Sequence, residues 1–284
     1  MEIQIVLTVI LAVAVGVSLG LLGGGGSILT VPLLAYVAGL EPKQAISGSL
    51  FVVGVTSLIG VIAHARAGHV RWRAGIIFGV TGMVGAFLGG LAGGHIPGTV
   101  LMMAFATVMI VTATAMIRGR REPQRSTATA ASTRLPVTQV VLQGLVVGAV
   151  SGLVGAGGGF LIVPALALLG GLAMPVAVGT SLLVMSMQTF AGLAGYLTVV
   201  TMNWMIVSAV AGAAIVGSLF GTRLNSRIPE HTLRRGFGVF VLVMGGLVLA
   251  QELPSPANWI VMVLAIVAAV VAAVTGLVRT RSRT

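Results

Sequence analysis

Gly23-Gly24-Gly25-Gly26-Ser27-Ile28-Leu29-Thr30-Val31-Pro32 recurs 132 residues later as Gly155-Ala156-Gly157-Gly158-Gly159-Phe160-Leu161-Ile162-Val163-Pro164. The same offset, without a gap, pairs Ser49 with Ser181, Gly60 with Gly192, Trp72 with Trp204, Gly85 with Gly217, Gly89 with Gly221 and Ile96-Pro97 with Ile228-Pro229. A gap-free register of this length marks an internal duplication. Glycine-broken apolar segments at corresponding places in two halves are the sequence pointer to a transporter's binding site.

Composition sets the solvent. Of 284 residues 57% are hydrophobic and 7% charged, and mean hydropathy is +1.12, which a water-exposed surface would not tolerate. Uncharged runs suited to a bilayer fall at about 3–22, 27–39, 44–63, 74–94, 98–117, 137–153, 158–172, 176–202, 203–222, 236–251 and 257–278. Most reach the length of a spanning helix; 27–39 and 158–172 are short and directly follow the glycines, as half-helices or re-entrant arms would. The net charge of +11 comes from Arg between apolar runs, where topology rather than nucleic acid accounts for it. No Cys is present, so disulfides and thiolate-held metals or haem are excluded. A cleavable leader is not expected, because Glu2 replaces a basic start and Val15-Gly16 already belongs to the repeat.

The basic loops at 64–73, 118–134 and 223–235 and the tail carrying Arg279, Arg281 and Arg283 are expected on the cytoplasmic side, and those at 94–98, 197–203 and 251–257 outside. Loop 64–73 is basic while its counterpart 196–205 is uncharged, and the loops near 95 and 227 reverse that contrast. Equivalent loops therefore face opposite sides, which predicts an inverted-topology repeat with an odd number of crossings per half. The expected fold is an all-α polytopic membrane protein: repeat 1 at 1–117, a cytoplasmic linker at 118–136, inverted repeat 2 at 137–251, and at 252–284 an extra C-terminal helix with a basic tail. A re-entrant hairpin at each glycine segment is favoured over two full helices.

Consecutive glycines end a helix and leave N–H groups free, and in hydrocarbon each such group costs several kcal/mol unless it is buried in protein or wet. Helices restarting before Pro32 and Pro164 would aim their positive ends at the breaks, and two such ends make an anion site. Simple helix packing is the reading for Gly85, Gly89, Gly217 and Gly221; for 23–27 and 155–159 four or five small residues in a row favour a site. The expected ligands are thus Gly24, Gly25, Gly26 and Ser27 with Ala156, Gly157, Gly158 and Gly159.

If the following helices begin near Pro42 and Pro175, then Ser49, Thr56 and Gly60 in one half and Ser181, Gln188 and Gly192 in the other share one face. Ser47, Gly48 and Thr180 lie beside it. Ser49, Thr56, Thr180, Ser181 and Gln188 therefore join the expected binding residues; the hydroxyls can instead satisfy their own helix, whereas the Gln188 amide needs a partner beyond its turn. The chain has no Asp, and Glu2, Glu41, Glu122, Glu230 and Glu252 lie at termini or loops, which argues against cation substrates and carboxylate proton relays. His64 is the histidine to test as a proton carrier.

The paired glycine stretches ending in Val31-Pro32 and Val163-Pro164, followed by Ala45-Ile46-Ser47-Gly48-Ser49 and Ala177-Val178-Gly179-Thr180-Ser181, resemble the TauE/SafE family over about residues 5–250. The resemblance implies a permease of the cytoplasmic membrane for sulfite or related organosulfur or organic anions. It implies a secondary transporter rather than an enzyme, with a small anionic substrate, the lipid bilayer as surroundings and no cofactor. A coupling ion, H⁺ or Na⁺, and a homodimer are compatible with the sequence, and an anion channel of the same fold is the alternative. An intramembrane hydrolase using Ser49 or Ser47 with His64 is disfavoured, since fifteen helical positions put Ser49 and His64 about 22 Å apart. There is no phosphate-binding loop for ATP.

Overall fold

Prolines and glycines set the ends of the helices. The computed structural model describes residues 2–22, 27–118, 137–159, 162, 163, 166, 174–225 and 230–253. In these residues all regular structure is helical. Helix α1 is Glu2–Leu22. After the first glycine segment comes a short arm, Ser27 to Leu29 as a 3₁₀ turn, α2 at Thr30–Pro32 and a π-turn at Leu33–Val37. Pro42 then occupies the first turn of α3, Pro42–Arg66, where its missing N–H costs nothing. Helix α4 is Trp72–His95 and α5 is Gly98–Arg118. The second half supplies α6, Val137–Val154; α7, Met174–Leu197; α8, Trp204–Asn225; and α9, Glu230–Glu252. The offset maps α1 on α6, α3 on α7, α4 on α8 and α5 on α9.

Among the described residues four stretches are long and apolar enough to cross a membrane: Pro42–Arg66, Trp72–His95, Val176–Leu197 and Trp204–Thr222. Val6–Leu21, Ser27–Val37, Gly98–Thr114, Val140–Val154 and Gly238–Glu252 are shorter apolar helices. Exposed side chains such as Val84, Leu88, Leu142, Val216 and Phe220 give these helices an apolar outer face suited to lipid. The expected linker at 118–136, most of the arm at 158–172 and the C-terminal helix at 257–278 lie outside the described residues.

Two compact units are formed, Met1–Leu101 with Leu135–Arg227, and Met102–Arg134 with Ile228–Thr284. In the smaller unit a Cβ on Gly245 of α9 would stand 3.0 Å from Met109 Cβ of α5, so the two helices meet closely there.

In the larger unit each half clasps the other. Helix α1 packs on α8, and its counterpart α6 packs on α4, which is the counterpart of α8. The contacts correspond residue by residue. A Cβ on Gly16 would strike the Ala214 carbonyl and one on Gly148 the Gly82 carbonyl; Gly20 lies against Ser218 and Gly152 against Ala86. In return Gly85 lies on Leu145 and Gly217 on Val13, while Gly89 lies on Ala149 and Gly221 on Val17. Each contact is glycine against backbone, the close approach by which membrane helices gain packing that a hydrophobic effect does not supply in lipid. Between these clasps α3 and α7 cross at the centre, with a buried cluster that includes Val53, Val61, Leu182, Val184 and Met185.

The clasp is not perfectly even. Helix α4 lies tight on α7, because Gly75, Gly79, Gly82, Gly90 and Gly93 leave no room for a Cβ beside Leu183, Met187, Gln188, Gly192 and Tyr196. The corresponding residues of α8 are Val207, Ala211, Ala214, Thr222 and Asn225, and α8 meets α3 less extensively. At Val207, Ala211, Ala214 and Thr222 a side chain stands where α4 has glycine.

Candidate functional site

The second glycine segment begins where α6 stops at Val154. Gly155, Gly157 and Gly158 have φ of 75°, 68° and 67°, a left-handed conformation that a side chain disfavours. All three, with Ala156 and Gly159, are buried. Two hydroxyls of the first half reach this backbone: Ser49 Oγ donates to the Gly155 carbonyl at 2.8 Å, and Ser27 Oγ donates to the Ala156 carbonyl at 2.5 Å. Ser27 is the last residue of the first glycine run, so the two segments touch here. A Cβ on Gly157 would lie 2.6 Å from Val53 Cγ1 and 3.5 Å from Ser27 Oγ. The Gly155 N–H bonds back to the Ser151 carbonyl at 2.9 Å. Among the described residues, the N–H groups of Ala156, Gly157 and Gly158 donate to no backbone or side-chain oxygen. Buried donors of this kind call for an acceptor.

Other buried polar atoms near these segments are also unmatched. Ser151 Oγ has no partner and would face a Cβ on Gly158 at 3.1 Å, and Thr30 Oγ1, at the start of the arm after Ser27, has none either. Neither was singled out by sequence reasoning. The signal for Ser151 is its place one turn before the glycines, a position at which the first half carries Leu19.

The structure separates the stripe expected on α3 and α7. Thr56 donates to the Val52 and Val53 carbonyls, Thr180 to Val176 and Ser181 to Val178, so these hydroxyls satisfy their own helices. Thr180 Oγ1 also accepts from the Arg71 N–H at 3.1 Å, holding the 66–71 turn on α7. Ser49 alone among these hydroxyls donates to the other half, whereas Thr180 accepts from it. Gln188 is fully buried, yet neither its Nε2 nor its Oε1 has a partner; the amide rests directly on Gly82 of α4. The expected interaction beyond its own turn is therefore not made among the described residues. Gly24, Gly25 and Gly26 lie outside the described residues.

On the looser side, α1, α3, α7 and α8 line a partly open cavity of about 130 Å³. Leu19, Gly60 and Leu182 form its apolar wall, and Thr56, Ser57, His64, Ser218 and Thr222 its polar one. Four of those polar residues were not among the expected ligands. The legible signal is a mismatch between halves, Ser218 standing for Ala86 and Thr222 for Gly90.

Comparison with known proteins places these features in a lineage. Residues 8–248 match the family model described as sulfite exporter TauE/SafE. A "probable membrane transporter protein" of Xylella fastidiosa is 39% identical over 237 residues, covering 81% of this chain and 89% of that protein. Proteins of the same description from Methanocaldococcus jannaschii and Bacillus subtilis are 29% and 24% identical, each alignment covering 86% of this chain and respectively 97% and 99% of theirs. No solved structure matches.

Proposed function

We propose a mechanism that proceeds from one premise: the chain belongs to the sulfite exporter TauE/SafE family. It is a membrane transporter of that type. Within that class we read it as a secondary transporter for small anions, sulfite or related sulfonates and organic acids, that works by alternating access in the cytoplasmic membrane. The anion is held by backbone N–H groups of the two glycine segments. The observation that carries this reading is the buried run Ala156-Gly157-Gly158, whose N–H groups have no acceptor among the described residues, while the Gly155 and Ala156 carbonyls are already occupied by Ser49 and Ser27. An oxyanion offers several acceptor oxygens to such a cluster, and a cation would meet no carboxylate. Neutral donors hold an anion without the strong attraction of a buried Arg, which suits a cargo that must leave again.

Alternating access is commonly built from two repeats that rock around a fixed site, and the reciprocal partnership of α1 with α8 and α6 with α4 supports the inverted-repeat reading. The charge contrast between loops 64–73 and 196–205 supports the opposite orientation of the halves.

The test is to remove one donor without adding a side chain. Incorporating glycolic acid at position 157 by nonsense suppression turns that N–H into an ester oxygen and leaves the backbone free to adopt the same φ. Sulfite affinity of the purified protein should fall at least tenfold with the melting temperature close to wild type. Gly157→Val should abolish transport altogether, since it adds a clash with Val53 to a strained φ. Wild-type affinity in the ester protein would remove the glycine segment from the binding site.

A further inference from the structure

The cavity between α1, α3, α7 and α8 has the attributes of a built site. Its volume of about 130 Å³ is well above the roughly 10–15 Å³ that one water needs, so a small solute fits. Ser57 is 2% exposed and its Oγ has no hydrogen-bond partner, and the buried His64 Nδ1 has none. Both residues line the same space. Apart from Ser49, which reaches Gly155, the bonded Ser and Thr hydroxyls of α3, α7 and α8 turn back on their own helix, as Thr56, Ser218 and Thr222 do at the cavity edge, so the unmatched Ser57 asks for a ligand.

The counterpart in the other half is closed. Thr189, equivalent to Ser57, donates to the Met185 and Ser186 carbonyls. Tyr196, equivalent to His64, is fully buried and donates to the Leu153 carbonyl at 2.7 Å. Gly90 and Ala86, equivalent to Thr222 and Ser218, bring α4 onto α7 and α6 and leave the space filled. The difference is written in the residues themselves: on one side the duplication has kept small residues and closed the gap, and on the other it has placed Ser, Thr and His around an opening.

We propose that this cavity is a second anion-binding site, a vestibule that receives the small oxyanion on the His64 side before it reaches the glycine segments. This rests on the anion-transport reading above. Thr56 and His64 are eight residues apart on α3, about 12 Å, and one turn before Thr56 stands Val53, which faces Gly157. The vestibule therefore leads from the end of α3 toward the unmatched N–H groups. Ser57 donates its hydroxyl proton to the anion, and His64 donates from Nδ1 when that nitrogen carries the proton. With no carboxylate among the lining residues, the chemistry selects compact anions with acceptor oxygens over cations.

Sulfite, thiosulfate and sulfate are titrated into the purified full chain, and binding heat and melting temperature are read for wild type, Ser57→Ala, His64→Gln and the position-157 ester. Because Ser57 Oγ bonds nothing in the fold, Ser57→Ala should leave the unliganded melting temperature unchanged or raised while lowering anion affinity at least tenfold. A purely structural Ser57 would not give that pair of results. Wild-type affinity in both Ser57→Ala and His64→Gln overturns the vestibule; if the ester protein has lost affinity in the same series, the glycine-segment reading stands without it. Loss in Ser57→Ala with full affinity in the ester protein keeps the vestibule and removes the glycine site. A wild type that binds none of the three anions overturns both. Should His64→Gln lower the melting temperature, Ser57→Ala alone decides.

Discussion

Gln188 carries two polar groups into a fully buried position and bonds neither of them to any described residue. An unpartnered buried amide costs about 1–3 kcal/mol, so its retention has to be explained by something other than stability. Gln188→Met keeps length and volume while removing the amide. The expected outcome is a protein at least as stable as wild type by thermal unfolding that binds sulfite at least tenfold more weakly. Unchanged binding would assign Gln188 to packing against Gly82. Thr56→Val should be milder, because the Thr56 hydroxyl is already bonded to the Val52 and Val53 carbonyls. At this scale the sequence was legible where chemistry is local. The ambivalence of Thr56 and Ser181 could be read from residue type; the Gln188 amide, expected to find a partner beyond its own turn, has none among the described residues. That Ser49 would reach Gly155 could not, because the partner lies in the other half and backbone carbonyls have no sequence signature.

Elements meet through glycine in this fold, and the meeting points come in equivalent sets. Gly85→Val and Gly217→Val put side chains against the Leu145 and Val13 carbonyls respectively, which sit at corresponding positions of α6 and α1. Both variants should lose stability by similar amounts, on the order of 1–3 kcal/mol or more since backbone rather than a side-chain tip must move, with sulfite affinity retained by the protein that remains folded. Thermal unfolding with and without sulfite measures both quantities. A large loss in one variant and none in the other would show that the two clasps are not energetically equivalent. The start of α3 at Pro42 and the stop of α6 before Gly155 could be read from single residues. The stand-off between α3 and α8 could not, because it depends on five α4 glycines being matched by Val, Ala, Ala, Thr and Asn in α8, a comparison that matters only once the partners of each helix are known.

For the molecule as a whole, the opposite charge of equivalent loops predicts opposite sidedness. Single cysteines introduced at Gly68 and Val200 have no native thiol to compete with. Gly68 is open, with nothing within 4 Å of an added Cβ, although its φ of 72° makes a neighbouring site such as Ala67 a useful second position. An impermeant thiol reagent applied to intact cells should label position 200 and spare positions 67 and 68, with the pattern reversed in inside-out vesicles. Equal labelling from outside would overturn the inverted arrangement. The duplication and its register were legible because the four pairs of described helices keep the same spacing in both halves; the unequal closure of the two halves was not, since it arises from differences superposed on that spacing.

The reciprocal clasp also bears on how the chain is made. Gly16 and Gly20 are synthesised early, yet the backbone they pack against belongs to Ala214 and Ser218, near the end of the second half. When α1 to α4 have entered the bilayer, the glycine faces of α1 and α4 have no counterpart, and α3 lacks α7. Completion of the first half must therefore wait for translation of the second, a long-range closure of the kind that slows folding and leaves an intermediate with unmatched surfaces. During that interval the nascent chain depends on lipid, or on the insertion machinery, to cover helices whose partners the ribosome has not yet produced.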